Sequence, residues 1–172
     1  MAMSMDYAQM VEGCRRRDPK AQRALYDAVS QMSMGICMRY AQGRDEAQDM
    51  MQDGFVRVFE HIGGLRDTAT TAAWVRKVML NVCLNHIKVD RRMLRGNVEV
   101  DDVADVNTDP YAMEEIVAAI QKLAPQQRVV FNMVEVEGFE LKETAQRLHC
   151  SEVNVRALLC RAKKALREKL KE

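Results

Sequence analysis

Along most of the chain apolar residues recur every three or four positions, the spacing that lines one face of a helix, and strand signals are weak. Caps and breakers mark the boundaries. Asp18-Pro19 couples a capping aspartate to a proline suited to the first helical position. It predicts a helix through Leu25, Val29 and Met32 that continues across "MGICMRY" to Tyr40, with Gly43 breaking it. From Asp45 a second helix buries Ala47, Met50, Met51, Gly54, Phe55 and Val58 and leaves Asp45, Asp49, Gln52, Asp53 and Arg57 off that stripe. Gly63-Gly64 closes it, "LRDTATT" follows as a loop, and Thr71 is a candidate cap for "AAWVRKVMLNVCLNHIKVDRR", a helix reaching about Arg92.

The pattern then changes. "RGNVEVDDVADVNTDP" has no helical period and carries Glu99, Asp101, Asp102, Asp105 and Asp109, so it reads as an extended acidic linker between two domains. Past it, Pro110 opens a short helix to about Leu123. Pro125 opens another, through Val129, Val130, Met133 and Val134, stopped by Gly138, and "ELKETAQRL" forms a third. A turn at His149-Cys150 leads to Ser151, an N-cap, and a final helix dense in lysine and arginine. Short helix, tight turn, cap and longer basic helix make the outline of a helix-turn-helix. The expected fold is all-α, with one helical domain at 1–93, an acidic linker at 94–110 and a second helical domain at 111–172.

Composition narrows the function without naming it. Lys plus Arg number 26 against 25 for Asp plus Glu in 172 residues, so the placement of charge, not its total, carries information about partners. Five cysteines are scattered without a C-x-x-C pair, and His149-Cys150 lacks a second pair, which favours buried thiols over a zinc site. "MAMSMDYAQMVEG" does not read as a signal peptide, and no stretch approaches the ~18 apolar residues of a membrane span, so a cytoplasmic, reduced protein without membrane insertion is expected. No phosphate cradle or nucleophile elbow is present, and His61 and His86 lack acid or cysteine partners at catalytic spacing. Neither enzyme activity nor a cofactor is expected.

Two constellations point to nucleic acid. In a helix-turn-helix the first turns of the second helix meet base edges. From the Ser151 cap, Val153 with Leu158 or Leu159 is expected to face the core, leaving Glu152, Asn154, Arg156 and Arg161 outward. Asn suits adenine, Arg suits guanine or phosphate, and Glu suits cytosine. Arg161, Lys163, Lys164 and Arg167 suit phosphate contacts. A basic helix end is also what the helix dipole favours, but the preceding turn and the Asn/Arg pattern tilt the reading to DNA. Earlier in the chain, Lys77, Asn81, Asn85, Lys88 and Arg92 fall at intervals of three or four and form a polar, basic stripe with no acid. Such a stripe suits a phosphate backbone with exposed bases. The small polar loop holding Asp67, Thr68 and Thr71 suits a base taken out of the stack. Trp74 reads as a core anchor, and the acidic Asp49, Gln52, Asp53 face points away from DNA by charge.

At this point the residues resemble a known family. "RDEAQDMMQDGFVRVFEHI…AAWVRKVMLNVCLNHIKVDRR" is similar to the second conserved domain of bacterial RNA polymerase sigma factors. "LAPQQRVVFNMVEVEGFELKETAQRLHCSEVNVRALLCRAKKALREKL" is similar to their fourth. With no first or third domain, the plan resembles the extracytoplasmic-function (ECF) group. The resemblance implies that Asp49, Gln52 and Asp53 dock on the β′ clamp helices of core RNA polymerase. It implies that the Asp67–Thr71 loop with Lys77, Asn81 and Asn85 opens the promoter −10 element, and that the last helix reads the −35 duplex through Arg156 and Arg161. The β flap and an anti-sigma factor are further partners of the family. The chain departs from the pattern at His149, where glycine is frequent, and at Glu140, where a serine cap is frequent. It departs again at Arg76, Ala157 and Leu158, so base preferences do not carry over.

Two other readings remain: a stand-alone helix-turn-helix regulator, and a helical adaptor that binds only protein. The first leaves the Asn/Lys stripe and the acidic face unexplained. The second predicts that Arg156 and Arg161 are dispensable for transcription.

Overall fold

A computed structural model describes residues 6–87 and 113–170. The chain divides into two compact units, one up to His86 and one from Ile87 onward. The linker expected at 94–110 lies outside the described residues.

In the first unit, α1 (Tyr7–Arg15) is capped by Asp6, whose Oδ1 accepts from Gln9 N–H at 2.8 Å. The sequence pattern predicts no helix here. Its buried stripe is only Met10, Val11 and Cys14, too few repeats for a periodicity to show. Helix α2 (Pro19–Tyr40) runs unbroken, as the pattern predicts. Asp18 Oδ1 accepts from Lys20 N–H at 3.0 Å, and Pro19 gives up no bond, because first-turn N–H groups have no intrahelical partner anyway. Helices α3 (Arg44–His61) and α4 (Thr71–His86) pack on α2, which also carries α1. Leu25, Val29, Ile36 and Tyr40 of α2, Met50 and Val58 of α3 and Val75, Met79 and Val82 of α4 are all almost wholly buried. Gly54 of α3 leaves room for the Met79 side chain of α4, whose sulfur occupies the space a Cβ would take. The Cys37 and Cys83 sulfurs, on α2 and α4, are 3.8 Å apart. The hydrogen bond to Cys37, and then burial, hold the Cys83 thiol far above its usual range. All five cysteines are free, with Cys14, Cys37 and Cys83 buried and Cys150 and Cys160 half-buried.

In the second unit, α5 (Met113–Gln121), α6 (Pro125–Phe131), α7 (Leu141–Leu148) and α8 (Glu152–Lys169) form the domain, and α8 is its spine. Val155 and Leu158 of α8 pack with Val130 and Ala145, while Ala162 and Leu166 pack with Ala119, Ile120 and Leu123. Helix α6 widens into a π-turn at Asn132–Val136, where the Asn132 side-chain amide donates to the Arg128 carbonyl at 2.9 Å. That side chain competes for an oxygen of the helical ladder, a known way for asparagine to disturb a helix. Gly138, at φ +76°, then turns the chain as the sequence suggests.

The turn into α8 closes despite lacking glycine. His149 ends α7 in the left-handed conformation (φ 54°, ψ 43°), and Cys150 N–H bonds back to the Ala145 carbonyl at 3.0 Å. Ser151 Oγ accepts from Asn154 N–H at 3.2 Å and caps α8. By contrast, Glu140 stands at the N-cap of α7 with suitable extended backbone and no side-chain cap bond. Glu140→Ser is therefore expected to stabilise the second unit by about 1 kcal/mol, readable as a rise of a few degrees in its thermal unfolding midpoint. No rise would mean that the α7 N–H groups are already satisfied.

Candidate nucleic-acid and polymerase surfaces

Helix α8 presents one face to the core and the opposite face to solvent. Glu152, Arg156, Arg161 and Lys164 are exposed, as the sequence predicts, and so is the Ser151 cap. Two expectations for this helix are corrected, the facings of Asn154 and Val153. Asn154 is buried at 7% exposure, so its side chain is not presented to bases. Val153 is 60% exposed and does not face the core, where Val155 sits instead. Lys163 is half-buried, its Nζ 2.8 Å from Glu135 Oε1 on the π-turn, so it ties α8 to the preceding element before it meets any phosphate. The register explains both facings. Val155, Leu158, Ala162 and Leu166 repeat at three and four and form the buried stripe, which puts Asn154 at the edge of the packed side and Val153 opposite it.

Helix α4 carries the second surface. Lys77, Asn81 and Asn85 are exposed, one turn apart, on one side of the helix whose other side is Val75, Met79, Val82 and Cys83. Lys88 and Arg92 lie outside the described residues. Trp74 is half-buried. The loop before α4 is more ordered than the sequence implies, with a 3-10 turn at Thr68–Thr70. Asp67 Oδ1 accepts from Ala69 N–H at 3.0 Å, and Thr70 Oγ1 donates to the Asp67 carbonyl at 2.7 Å. Asp67 caps the 3-10 turn that leads into the helix, and Thr71 is the first residue of the helix itself. Thr71 is wholly buried, its Oγ1 donating to the Thr68 carbonyl at 2.6 Å, so it is a structural residue of the turn and lines no open pocket. Thr68 is half-buried and Asp67 exposed.

The third surface is acidic. Asp49, Gln52 and Asp53 are all exposed along α3. Asp53 Oδ2 lies 2.6 Å from His86 Nε2 at the end of α4. His86 thus has an acid partner that sequence spacing does not reveal, because the two residues stand 33 apart and meet only when α3 packs on α4. Beside these residues runs a groove of about 640 Å³ between α2 and α3, lined by Tyr26, Met34, Met51, Gln52, Phe55 and Val56. The Tyr26 and Phe55 rings lie 4.6 Å apart between centroids, and Val56 is 56% exposed. Sequence reasoning finds the acids and misses the apolar groove. Part of its wall belongs to α2, and Tyr26 and Val56 look like ordinary surface positions until the helices are packed. No group of three or more His, Cys, Asp or Glu among the described residues is placed to hold a metal ion.

Comparison with known proteins identifies the arrangement. Sigma-70 region 2 matches residues 25–93, and Sigma-70 region 4 matches residues 113–166. The RNA polymerase sigma-H factor of Pseudomonas aeruginosa is 26% identical over 174 residues, covering 92% of this chain and 90% of that protein. The ECF RNA polymerase sigma-E factor of Haemophilus influenzae is 24% identical over 186 residues, covering 99% of this chain and 98% of that one. In fold, the chain is similar to the sigma factor RpoE solved in complex with the anti-sigma factor NepR from Bartonella quintana. The TM-score is 0.53 at 17% identity, over 85% of this chain and 94% of that one. The chain belongs to the sigma-70 family of RNA polymerase sigma factors, in its ECF group. It is a promoter-recognition subunit that acts with core RNA polymerase. No helix among the described residues is long and apolar enough to cross a membrane.

Proposed function

We propose that the three surfaces divide the work of initiation, with no catalysis by the chain itself. The Asp49, Gln52, Asp53 edge and its apolar groove dock on the β′ clamp helices of core polymerase. An apolar cleft with a charged rim is the anatomy of a protein interface, in which buried aromatic and aliphatic side chains supply affinity and rim charges supply orientation. The first turns of α8 read the −35 duplex through Glu152 and Arg156, while Arg161 and Lys164 grip phosphates. The second unit meets the β flap as well. Lys77, Asn81 and Asn85 of α4 hold the non-template strand of the melted −10 element, the lysine by charge and the asparagines by hydrogen bonds to unstacked bases. The RpoE structure is a complex with an anti-sigma factor, and the α2–α3 groove is the surface where such a partner would compete with polymerase.

The observation that carries this reading is the amphipathic division of α8: one side is the spine of its domain, and the other shows Arg156, Arg161 and Lys164 to solvent directly after a capped turn. The α4 role is tested by promoter opening. Holoenzyme made with this chain is incubated with a promoter selected from a randomised pool, and melting is followed by permanganate reactivity of unpaired thymines. Asn81→Ala with Asn85→Ala is expected to slow opening about thirtyfold, at roughly 1 kcal/mol for each lost hydrogen bond, with −35 binding retained. Unchanged opening would remove α4 from strand capture.

A further inference from the structure

The outward face of α8 is charged except at one place. Val153, the second residue of the helix, is 60% exposed, while Val155, Ala157 and Leu158 beyond it are buried. At about 100° per residue, Val153 lies about 180° from the centre of the stripe formed by Val155, Leu158, Ala162 and Leu166. It is therefore the side chain of this helix aimed most directly away from its own domain. Glu152 and Arg156 adjoin it on one side, and Arg161 and Lys164 lie about two and three turns further along on the other, all exposed. A lone exposed valine is ordinary on most surfaces. Here its place on the helix fixes what meets it: Arg156 stands one turn on, and Arg161 and Lys164 continue the outward face about two and three turns along. The apolar group thus opens a cationic track that suits an extended anionic ligand with an apolar feature between its charges. Duplex DNA offers one such feature in the major groove, the thymine 5-methyl, which projects among polar base edges.

Resting on the reading of α8 as the −35 helix, we infer that Val153 is a specificity-determining residue of this chain that packs its methyl groups on the 5-methyl of a thymine in the −35 element. Burial of Asn154 strengthens the assignment. With that amide turned inward, the exposed side chains among the first five residues of the helix are Glu152, Val153 and Arg156, and among these only Val153 offers an apolar contact. The −35 element is accordingly expected to hold a thymine beside the base pairs that Glu152 and Arg156 address.

The test uses holoenzyme assembled from core RNA polymerase and the full chain. A duplex pool randomised across the −35 region yields the preferred element. Each thymine in it is then replaced in turn by deoxyuridine, which removes the 5-methyl and changes no hydrogen bond. Wild-type holoenzyme is expected to lose about fourfold in binding at one thymine, the worth of one buried methyl group. Val153→Ala is expected to bind the thymine and uracil duplexes alike, and Val153→Ile to keep the discrimination. Because the side chain is exposed, both variants keep the fold, which circular dichroism verifies. A selected element without thymine, or a uracil penalty equal in wild type and Val153→Ala, overturns the inference about Val153 and leaves α8 as the −35 reader. Failure to select any −35 element overturns the reading of α8 along with it.

Discussion

Alanine at Asp49, Gln52 and Asp53 together is expected to abolish co-elution of the chain with sigma-free core RNA polymerase. The three side chains are exposed on one face of α3, and Gln52 among them lines the groove with Tyr26 and Phe55. Rim residues cost less to truncate than a buried anchor, and at about 1 kcal/mol each the triple change weakens binding by roughly a hundredfold. The fold tolerates it. Within the chain the triple change breaks the hydrogen-bonded contact of Asp53 with His86, whose side chains are 59% and 30% exposed respectively. Pairs that open to water contribute little to stability. His86→Ala separates the two effects, because it removes the partner of Asp53 and leaves all three docking residues in place. Should the triple variant co-elute like wild type, the docking surface lies elsewhere. A triple variant that fails while His86→Ala binds would show that the acids meet polymerase themselves and are not merely braces between α3 and α4.

The second large effect is expected at Arg156. Its guanidinium is exposed in the second turn of α8, where a bidentate contact to guanine is worth about 1–3 kcal/mol of discrimination. Arg156→Ala is therefore expected to reduce initiation at −35-dependent promoters by about ten- to a hundredfold and to relax preference at a single base pair. Lys164→Ala should behave differently. A phosphate contact carries no sequence information, so its loss weakens all sequences alike and lowers the salt dependence by about one unit of slope. Initiation assays on a panel of −35 variants at several salt concentrations distinguish these outcomes. Equal losses on every variant for Arg156→Ala would make it a phosphate contact and move base reading to other residues. No loss for either variant would move −35 recognition away from this face of α8.

Much of the fold is legible in the sequence because local chemistry sets it. Asp18-Pro19 and Ser151 start helices wherever they are followed by good helical sequence, since their side chains or rings satisfy what a helix N-terminus lacks. The apolar stripe of α3 matches the expected one residue for residue, from Ala47 to Val58, because a long amphipathic helix repeats its pattern often enough to define its face. The exposed Lys77, Asn81 and Asn85 of α4 are legible for the same reason. Turn chemistry is less so. His149 takes a left-handed conformation more often given to glycine, and only the closing bond from Cys150 to Ala145 shows that the turn is kept.

By itself the sequence determined the helical class, the helix starts at Asp18-Pro19 and Ser151, and the acids and cations that mark the surfaces. These follow from interactions between residues a few positions apart. Tertiary structure alone decided the facing of Val153 and Asn154, the inward turn of Thr71, the meeting of Asp53 with His86 and the groove beside Gln52. Each depends on which side of a helix a distant neighbour covers. The first turn of α8 shows the reason plainly. Polarity puts Asn154 outside and Val153 inside, but packing of the helix on α6 and α7 through Val155 and Leu158 sets the rotation of the whole helix, and two residues of the first turn have to follow it.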